Sequence, residues 1–417
     1  MGDPEVRRAG RIALLTLCVC IVLSAMSRGA AESYAVFLLP LSRAFEWDRA
    51  QASSVYALLM LSLGLSSPIV GRIFDAWGPG RIYAIGLGCM AGGMLLAGSL
   101  ESLWQFQLCV GVLGGFAVAA LGPVTQAALI SRWFHGRLTT AIAGVAAAAG
   151  VGVLVFSPLV QVLIDSFGWR DAYRILGGTM AVLLLALLFM PWREVARGRP
   201  PAEPPPPPSG AGPQAAVAVP AAMTLRQALR TRPFWSLFFI HFFTACGMFA
   251  VNPQIVAFLV DVGFPNLTAA TAFGFAGVAA TVGLITFGWM ADRVGRLAAV
   301  LVSYAMTVGG FLILGLLELF PSYWLLVAFV VVFGPSFGSR GPIISAMTAT
   351  IFGRGRSLGV ILGAVSMGMG TGAAVGATMG GLLHDWTGGY GAVVIFSCTV
   401  MAIPITLFLV VPELRRQ

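Results

Sequence analysis

Gly288-Trp289-Met290-Ala291-Asp292-Arg293-Val294-Gly295-Arg296 interrupts a long apolar stretch with a basic, glycine-flanked turn. A weaker copy, Gly71-Arg72-Ile73-Phe74-Asp75-Ala76-Trp77-Gly78 with Arg81 just beyond, lies 217 residues earlier. Gly122-Pro123 pairs with Gly341-Pro342, and Gly144 with Gly363, at an offset of 219. Asp165-Ser166-Phe167-Gly168-Trp169 pairs with Asp385-Trp386-Thr387-Gly388-Gly389-Tyr390 at 220. Four matches in one order read as a duplicated unit.

Between these markers the chain is built of apolar runs. They fall near 12–39, 50–70, 82–99, 103–130, 138–164 and 172–191, then near 233–260, 268–290, 298–318, 323–351, 357–383 and 390–411. Each approaches the roughly 20 residues that one bilayer crossing needs. Of 417 residues, 58% are hydrophobic and 10% charged, whereas soluble chains carry about 25% charged residues. That balance excludes soluble, disordered, collagenous, disulfide-scaffold and nucleic-acid-binding classes. The expected fold is an all-α integral membrane protein, with twelve transmembrane helices in two six-helix pseudo-repeats around a central cavity. Residues 1–191 form the first half and 233–417 the second. Residues 192–232, with Pro200-Pro201 and the run Pro204–Pro208, read as an extended cytoplasmic linker.

All 25 basic residues are arginine, and the net charge is +9. Nineteen arginines fall on the side of the termini and four on the other, so both termini are expected in the cytoplasm of a multi-pass inner (plasma) membrane protein. Arg7, Arg8 and Arg11 ahead of an apolar run resemble a signal peptide, but the duplication makes that run a first span. The six cysteines lie inside apolar runs and act there as small hydrophobes. Cys18 and Cys20 point to different helix faces, so no metal pair is expected, and no cofactor.

The Gly288–Arg296 turn resembles the loop signature of the major facilitator superfamily. Three stretches narrow the resemblance to its monocarboxylate transporter and oxalate–formate antiporter branch: Tyr34 to Arg49, Trp133-Phe134-His135-Gly136-Arg137 with Ala141 and Gly144, and Phe352-Gly353-Arg354 with Arg356 and Gly359. The resemblance implies a monomeric secondary transporter whose first, fourth, seventh and tenth spans line the cavity. It also gives Asp75, Arg81, Asp292, Arg293 and Arg296 a gating role at the cytoplasmic end; the alternative is a topology anchor. One departure matters. That branch carries a basic residue on the eighth span, and the antiporters another on the eleventh, yet residues 268–290 and 357–383 contain none.

The informative charges are Arg28, Glu32 and Arg340, which sit inside spans. A charge at the bilayer centre costs at least about 2.5–3.5 kcal/mol, so these should face a wet cavity or one another. Arg28 and Glu32, four apart, share a helix face. With Gln126, His241 and Asn252 they form the expected substrate site, Arg28 and Arg340 gripping carboxylates by forked hydrogen bonds. Glu32 is the expected proton-coupling group, engaging Arg28 when ionised and releasing it when protonated. Alternatively Arg28–Glu32 only holds the first span, Arg340 bonds backbone carbonyls, and His241 makes an interhelical bond. Asn252 precedes Pro253, so a bend is expected there. The functional expectation is a transporter of a small mono- or dicarboxylate, by proton symport or anion exchange. An exporter of amphiphilic compounds and a non-transporting receptor or scaffold are the other readings. No nucleotide loop or catalytic triad is present, so an enzyme is not expected.

Overall fold

The structure is a computed structural model and describes residues 4–134, 138–198, 224–352 and 358–415. In a bilayer every backbone N–H and C=O must be satisfied within the protein, and a helix does this locally. Among the described residues eleven helical segments are long and apolar enough to cross a membrane. In chain order these are α1 (Arg8–Phe45), α2 (Arg49–Trp77), α3 (Pro79–Ala97), α4 (Leu103–Ile130), α5 (Ala141–Leu188), α6 (Arg232–Asp261), α7 (Asn266–Arg293), α8 (Arg296–Leu319), α9 (Tyr323–Phe352), α10 (Gly359–Thr387) and α11 (Gly391–Val410).

Where the sequence separates spans at 138–164 and 172–191, the structure has one helical run broken at Gly168, whose φ of 80° and ψ of 163° are not helical. That run is two helices. Gly98 lies against Arg170 and Arg174, Gly177 against Leu95, and Gly88 against Leu184, so residues 170–184 run antiparallel to α3. The break needs glycine, because an L side chain is strained at that φ and ψ. Its partner in the repeated motif, Gly388, also has positive φ, as do the paired turn glycines Gly78 and Gly295.

Four helices are interrupted. α1 loosens at Ser33, between Glu32 and Tyr34. α4 passes through a π-helical stretch, Gln107–Leu113, and restarts at Pro123 after the turn at Leu121 and Gly122. α6 tightens to a 3-10 turn over Asn252–Gln254, the bend expected at Pro253. α9 breaks before Arg340, at Phe337–Ser339, with Gly338 at φ 81°.

Glycine spacing governs the packing of α10. Gly368, Gly372, Gly376 and Gly380 recur every four residues and lie against the α6 backbone at Phe238, Phe242, Cys246 and Ala250. The missing side chains let the two backbones approach, which drives helix association in lipid. The opposite face of α10 meets α2: a Cβ at Gly370 would come within 3.0 Å of the Gly64 Cα, and one at Gly381 within 2.5 Å of the Ala50 Cα.

The described ends of the expected linker are ordered rather than extended. Trp192–Arg197 is a short helix with Val195 buried. Its carbonyls accept from Trp133 Nε1 at 2.9 Å and Arg132 Nη1 at 3.1 Å, and Glu194 pairs with Arg8. Thr224 caps a second short helix, Leu225–Ala228, with Ala228 buried. The proline run lies outside the described residues.

Candidate functional site

Glu32 is the hub of the bundle interior, 2% exposed. Its Oε1 accepts from Arg28 Nη2 at 2.6 Å, one turn back on α1. Its Oε2 accepts from the Tyr56 hydroxyl of α2 at 2.9 Å and from Asn252 Nδ2 of α6 at 3.0 Å. Asn252 Nδ2 also lies 3.3 Å from the Tyr56 hydroxyl. Asn252 opens the 3-10 turn at which Pro253 interrupts the α-helix. One carboxylate thus ties the first third of the chain to the seventh expected span. Tyr56 was not legible as a site residue: it sits in an apolar run with nothing to set it apart.

Arg28, Glu32 and Asn252 line a cavity of about 170 Å³. Its other walls are alanines and glycines of α5 and α7, with Phe273, Phe333 and Phe337. The Arg28 side chain is 26% exposed and that of Glu32 only 3%. The arginine therefore faces the space while the glutamate stands behind it. A larger groove between α7 and α9, about 690 Å³, has no charged lining residue.

Arg340, Gln126 and His241, expected around the same cavity, do not line it in this conformation. Arg340 is 3% exposed and stands two residues beyond Gly338, which with Phe337 lines the cavity. Its Nη1 donates to Thr307 Oγ1 at 3.0 Å, and its Nη2 to Met248 Sδ at 2.9 Å and the Ser336 carbonyl at 3.3 Å. The guanidinium also lies 4.5 Å from the Tyr304 ring centroid. No carboxylate among the described residues pairs with it. Its donors are met by neutral groups and a π face, a weakly hydrated cation's usual interior company. Gln126 Nε2 donates to the carbonyls of Leu121 at 2.6 Å and Cys20 at 3.3 Å, closing the turn in α4. His241 Nδ1 lies 3.1 Å from the Leu237 carbonyl of its own helix, and its Cβ faces Gly368.

The two ends of the bundle differ. At the end away from the termini, Arg49 pairs with Asp261 at 2.6 Å, and Asp385 accepts the backbone N–H groups of Arg49 at 3.0 Å and Ala50 at 2.7 Å. Those are the first two residues of α2, whose N–H groups have no partner within the helix. Tyr390 donates to Asp261 at 3.0 Å. Burial first of all raises the pKa of this phenol above its ordinary value, so it remains a donor. At the terminal end, Asp75 and Asp292 are exposed and form no ion pair among the described residues. Arg81 is exposed, Arg293 lies over the Trp289 ring at 5.2 Å, and Arg296 donates to Thr350 at 2.9 Å. Gly71, Gly144, Gly288 and Gly363 have open space where a side chain would stand.

Comparison with known proteins places this geometry. The family profile described as Major Facilitator Superfamily matches residues 17–338 and 237–417. Monocarboxylate transporter 13 of Bos taurus is 29% identical over 370 residues, 88% of this chain and 82% of that protein. An uncharacterized MFS-type transporter, YcxA, of Bacillus subtilis is 25% identical over 400 residues, 93% and 91% of the two chains. Among solved structures, the nucleoside transporter NupG superposes with a TM-score of 0.70 at 15% identity, covering 94% of this chain and 98% of that one.

Proposed function

The chain belongs to the major facilitator superfamily, and from that premise we propose that it is a secondary transporter of a small organic carboxylate, working by alternating access. The carrying observation is Arg28. It is a cation that faces the cavity and is held at 2.6 Å by a carboxylate the substrate can replace. Arg340, buried outside the lining, adds positive potential in a medium where charges are poorly screened. With one acid and two arginines, the region around the cavity favours an anion. The relatives named monocarboxylate transporters agree with that chemistry.

The break at Gly168 supports reading α5 as two crossings, and with them a layout of twelve spans in two sets of six. Arginine distribution puts the terminal end in the cytoplasm. The described state is then closed outside by Arg49, Asp261 and Asp385. Transport is rocking of the halves about the Glu32–Asn252 contact. Glu32 couples the step: protonation weakens its hold on Arg28 and Asn252 together, freeing the cation for substrate and the halves for movement.

Reconstituted vesicles test this with a panel of radiolabelled mono- and dicarboxylates. The expected result is uphill uptake driven by a proton gradient, lost in Arg28→Gln. Glu32→Gln should keep exchange and lose gradient-driven accumulation. Accumulation by Glu32→Gln at the original level removes the coupling role. Failure of every carboxylate to move, or to shift thermal stability, removes the anion reading.

A further inference from the structure

Resting on the carboxylate reading, we propose that the cavity takes a zwitterion: one carboxylate, one ammonium close to it, and a compact branched or aromatic apolar body. An apolar α-amino acid is the simplest compound of this class.

The argument starts from what a carboxylate must displace. Arg28 Nη2 is the sole described donor to Glu32 Oε1, whereas Oε2 has two, Tyr56 and Asn252. A plain carboxylate that captures Arg28 leaves Oε1 bare and sets a second negative charge beside Glu32. Two carboxylates side by side in a buried site repel unless a cation stands between them, and Arg340, held on Thr307, Met248 and Ser336 outside the lining, contributes only its longer-range field. A proton on Glu32 is one remedy. A cation carried by the ligand is another, and it needs no proton. The order of charges becomes Arg28, ligand carboxylate, ligand ammonium, Glu32, alternating in sign and neutral in sum, as the empty pair is.

The cavity offers the ammonium more than one acceptor. Glu32 Oε1 becomes free as Arg28 turns to the ligand, and an ionised carboxylate accepts up to about four hydrogen bonds. The Asn252 amide spends its Nδ2 on Glu32 and Tyr56, and no described residue donates to its Oδ1. Asn252 lines the cavity, so that oxygen is a second acceptor beside the first. The anchoring of Oε2 by Tyr56 and Asn252 keeps the carboxylate in place while Oε1 changes partner.

The remaining walls set the body of the ligand. Phe273, Phe333 and Phe337 with small residues of α5 and α7 form an apolar surface. The cavity of about 170 Å³ is close in size to an engineered apolar cavity of about 150 Å³ that holds a benzene, so the body must be small. A dicarboxylate finds no second cation, because Arg340 is held on Thr307, Met248 and Ser336 outside the lining. The charged or titratable groups facing the Arg28–Glu32 pair are Tyr56 from α2 alone; α6 contributes Asn252, α7 contributes Thr281, and α5 and α9 contribute no ionisable group to the lining.

The test uses the purified full chain and matched pairs: valine, leucine and phenylalanine against 3-methylbutanoate, 4-methylpentanoate and 3-phenylpropanoate, which lack only the ammonium. Affinity is read by calorimetry, and flux in vesicles with equal pH on both sides. At least one amino acid should bind tenfold or more tightly than its partner and cross without a proton gradient. Glu32→Gln should abolish that preference while the plain carboxylate still binds; Arg28→Gln should lose both. Size-exclusion profiles confirm folding of each variant, and the wild-type ratio stands without them. Plain carboxylates binding as well as or better than every amino acid overturn the zwitterion and leave the carboxylate reading intact. No binding in either series overturns both.

Discussion

Asp385→Ala should open the end of the bundle away from the termini. Asp385 accepts from the first two N–H groups of α2, at 3.0 and 2.7 Å, across the boundary between the two sequence halves. Asp48 and Gln51 serve the same helix start from within: the Asp48 N–H donates to Gln51 Oε1 at 3.2 Å. Only Asp385 comes from elsewhere, so only it is lost when the end opens. Removing a cap costs about 0.5–2 kcal/mol, and removing a charge from a helix N-terminus about 0.3–1 kcal/mol. Together these take roughly 1–3 kcal/mol from the closed state alone, which shifts the closed-to-open ratio by about 5- to 150-fold. Spin labels at Ala44 and Thr387, both exposed, read the separation by pulsed dipolar spectroscopy in a cysteine-free background. The control is Asp165→Ala. Asp165 is the repeat counterpart of Asp385, but it accepts from Gln161 of its own helix at 2.8 Å. A new long-distance population in Asp385→Ala alone is expected. Unchanged distances, or an equal change in the control, would refute the trans cap.

Three other outcomes follow from the packing. Gly376→Val drives a side chain into the Cys246 carbonyl and should lower stability by about 1–3 kcal/mol, as overpacking does. Gly363→Ala, with open space around it, should be neutral or gain up to about 1 kcal/mol; detergent melting curves compare the two. Gly168→Ala at φ 80° and ψ 163° should cost about 1–3 kcal/mol, with Gly178→Ala as the unstrained control. Arg28→Gln should weaken carboxylate binding by about ten- to a hundredfold, the worth of a charged hydrogen bond at 1.5–3 kcal/mol, while Arg340→Met should weaken it less and keep the fold; titration calorimetry on both variants decides.

The helices were legible because lipid leaves the chain little choice. Each apolar run must satisfy its backbone locally, and arginines and glycines mark where runs end. The bend that Pro253 announces was legible too, whereas Gly122-Pro123 stood out only as one half of a repeat. The interruption ahead of Arg340 was less so. Pro335 and Pro342 flank it, but the left-handed residue is Gly338, one glycine among 52. The ordered ends of the linker were hidden by composition: the prolines dominate the reading, yet Trp192–Arg197 is held by Arg132 and Trp133, more than fifty residues away in sequence.

The site divides along the same line. Arg28 and Glu32 are four apart, so a helix alone brings them together, and that much is arithmetic. Arg28 and Arg340 look equivalent in sequence: each is a lone arginine in an apolar run. What separates them is the distance along the chain to their partners. Arg28 has a carboxylate one turn away, and ionic company can be given up to a ligand of like charge. Arg340 is met by Thr307, Met248 and the Tyr304 face, from two other helices, and by the Ser336 carbonyl one turn back. A ligand carboxylate would have to break all of these at once to reach it. A replaceable partner makes a binding residue, and several irreplaceable ones make a scaffold for the field. By that criterion the proposed substrate contact falls to Arg28, and Arg340, outside the lining, is left with the proposed role of a fixed positive charge.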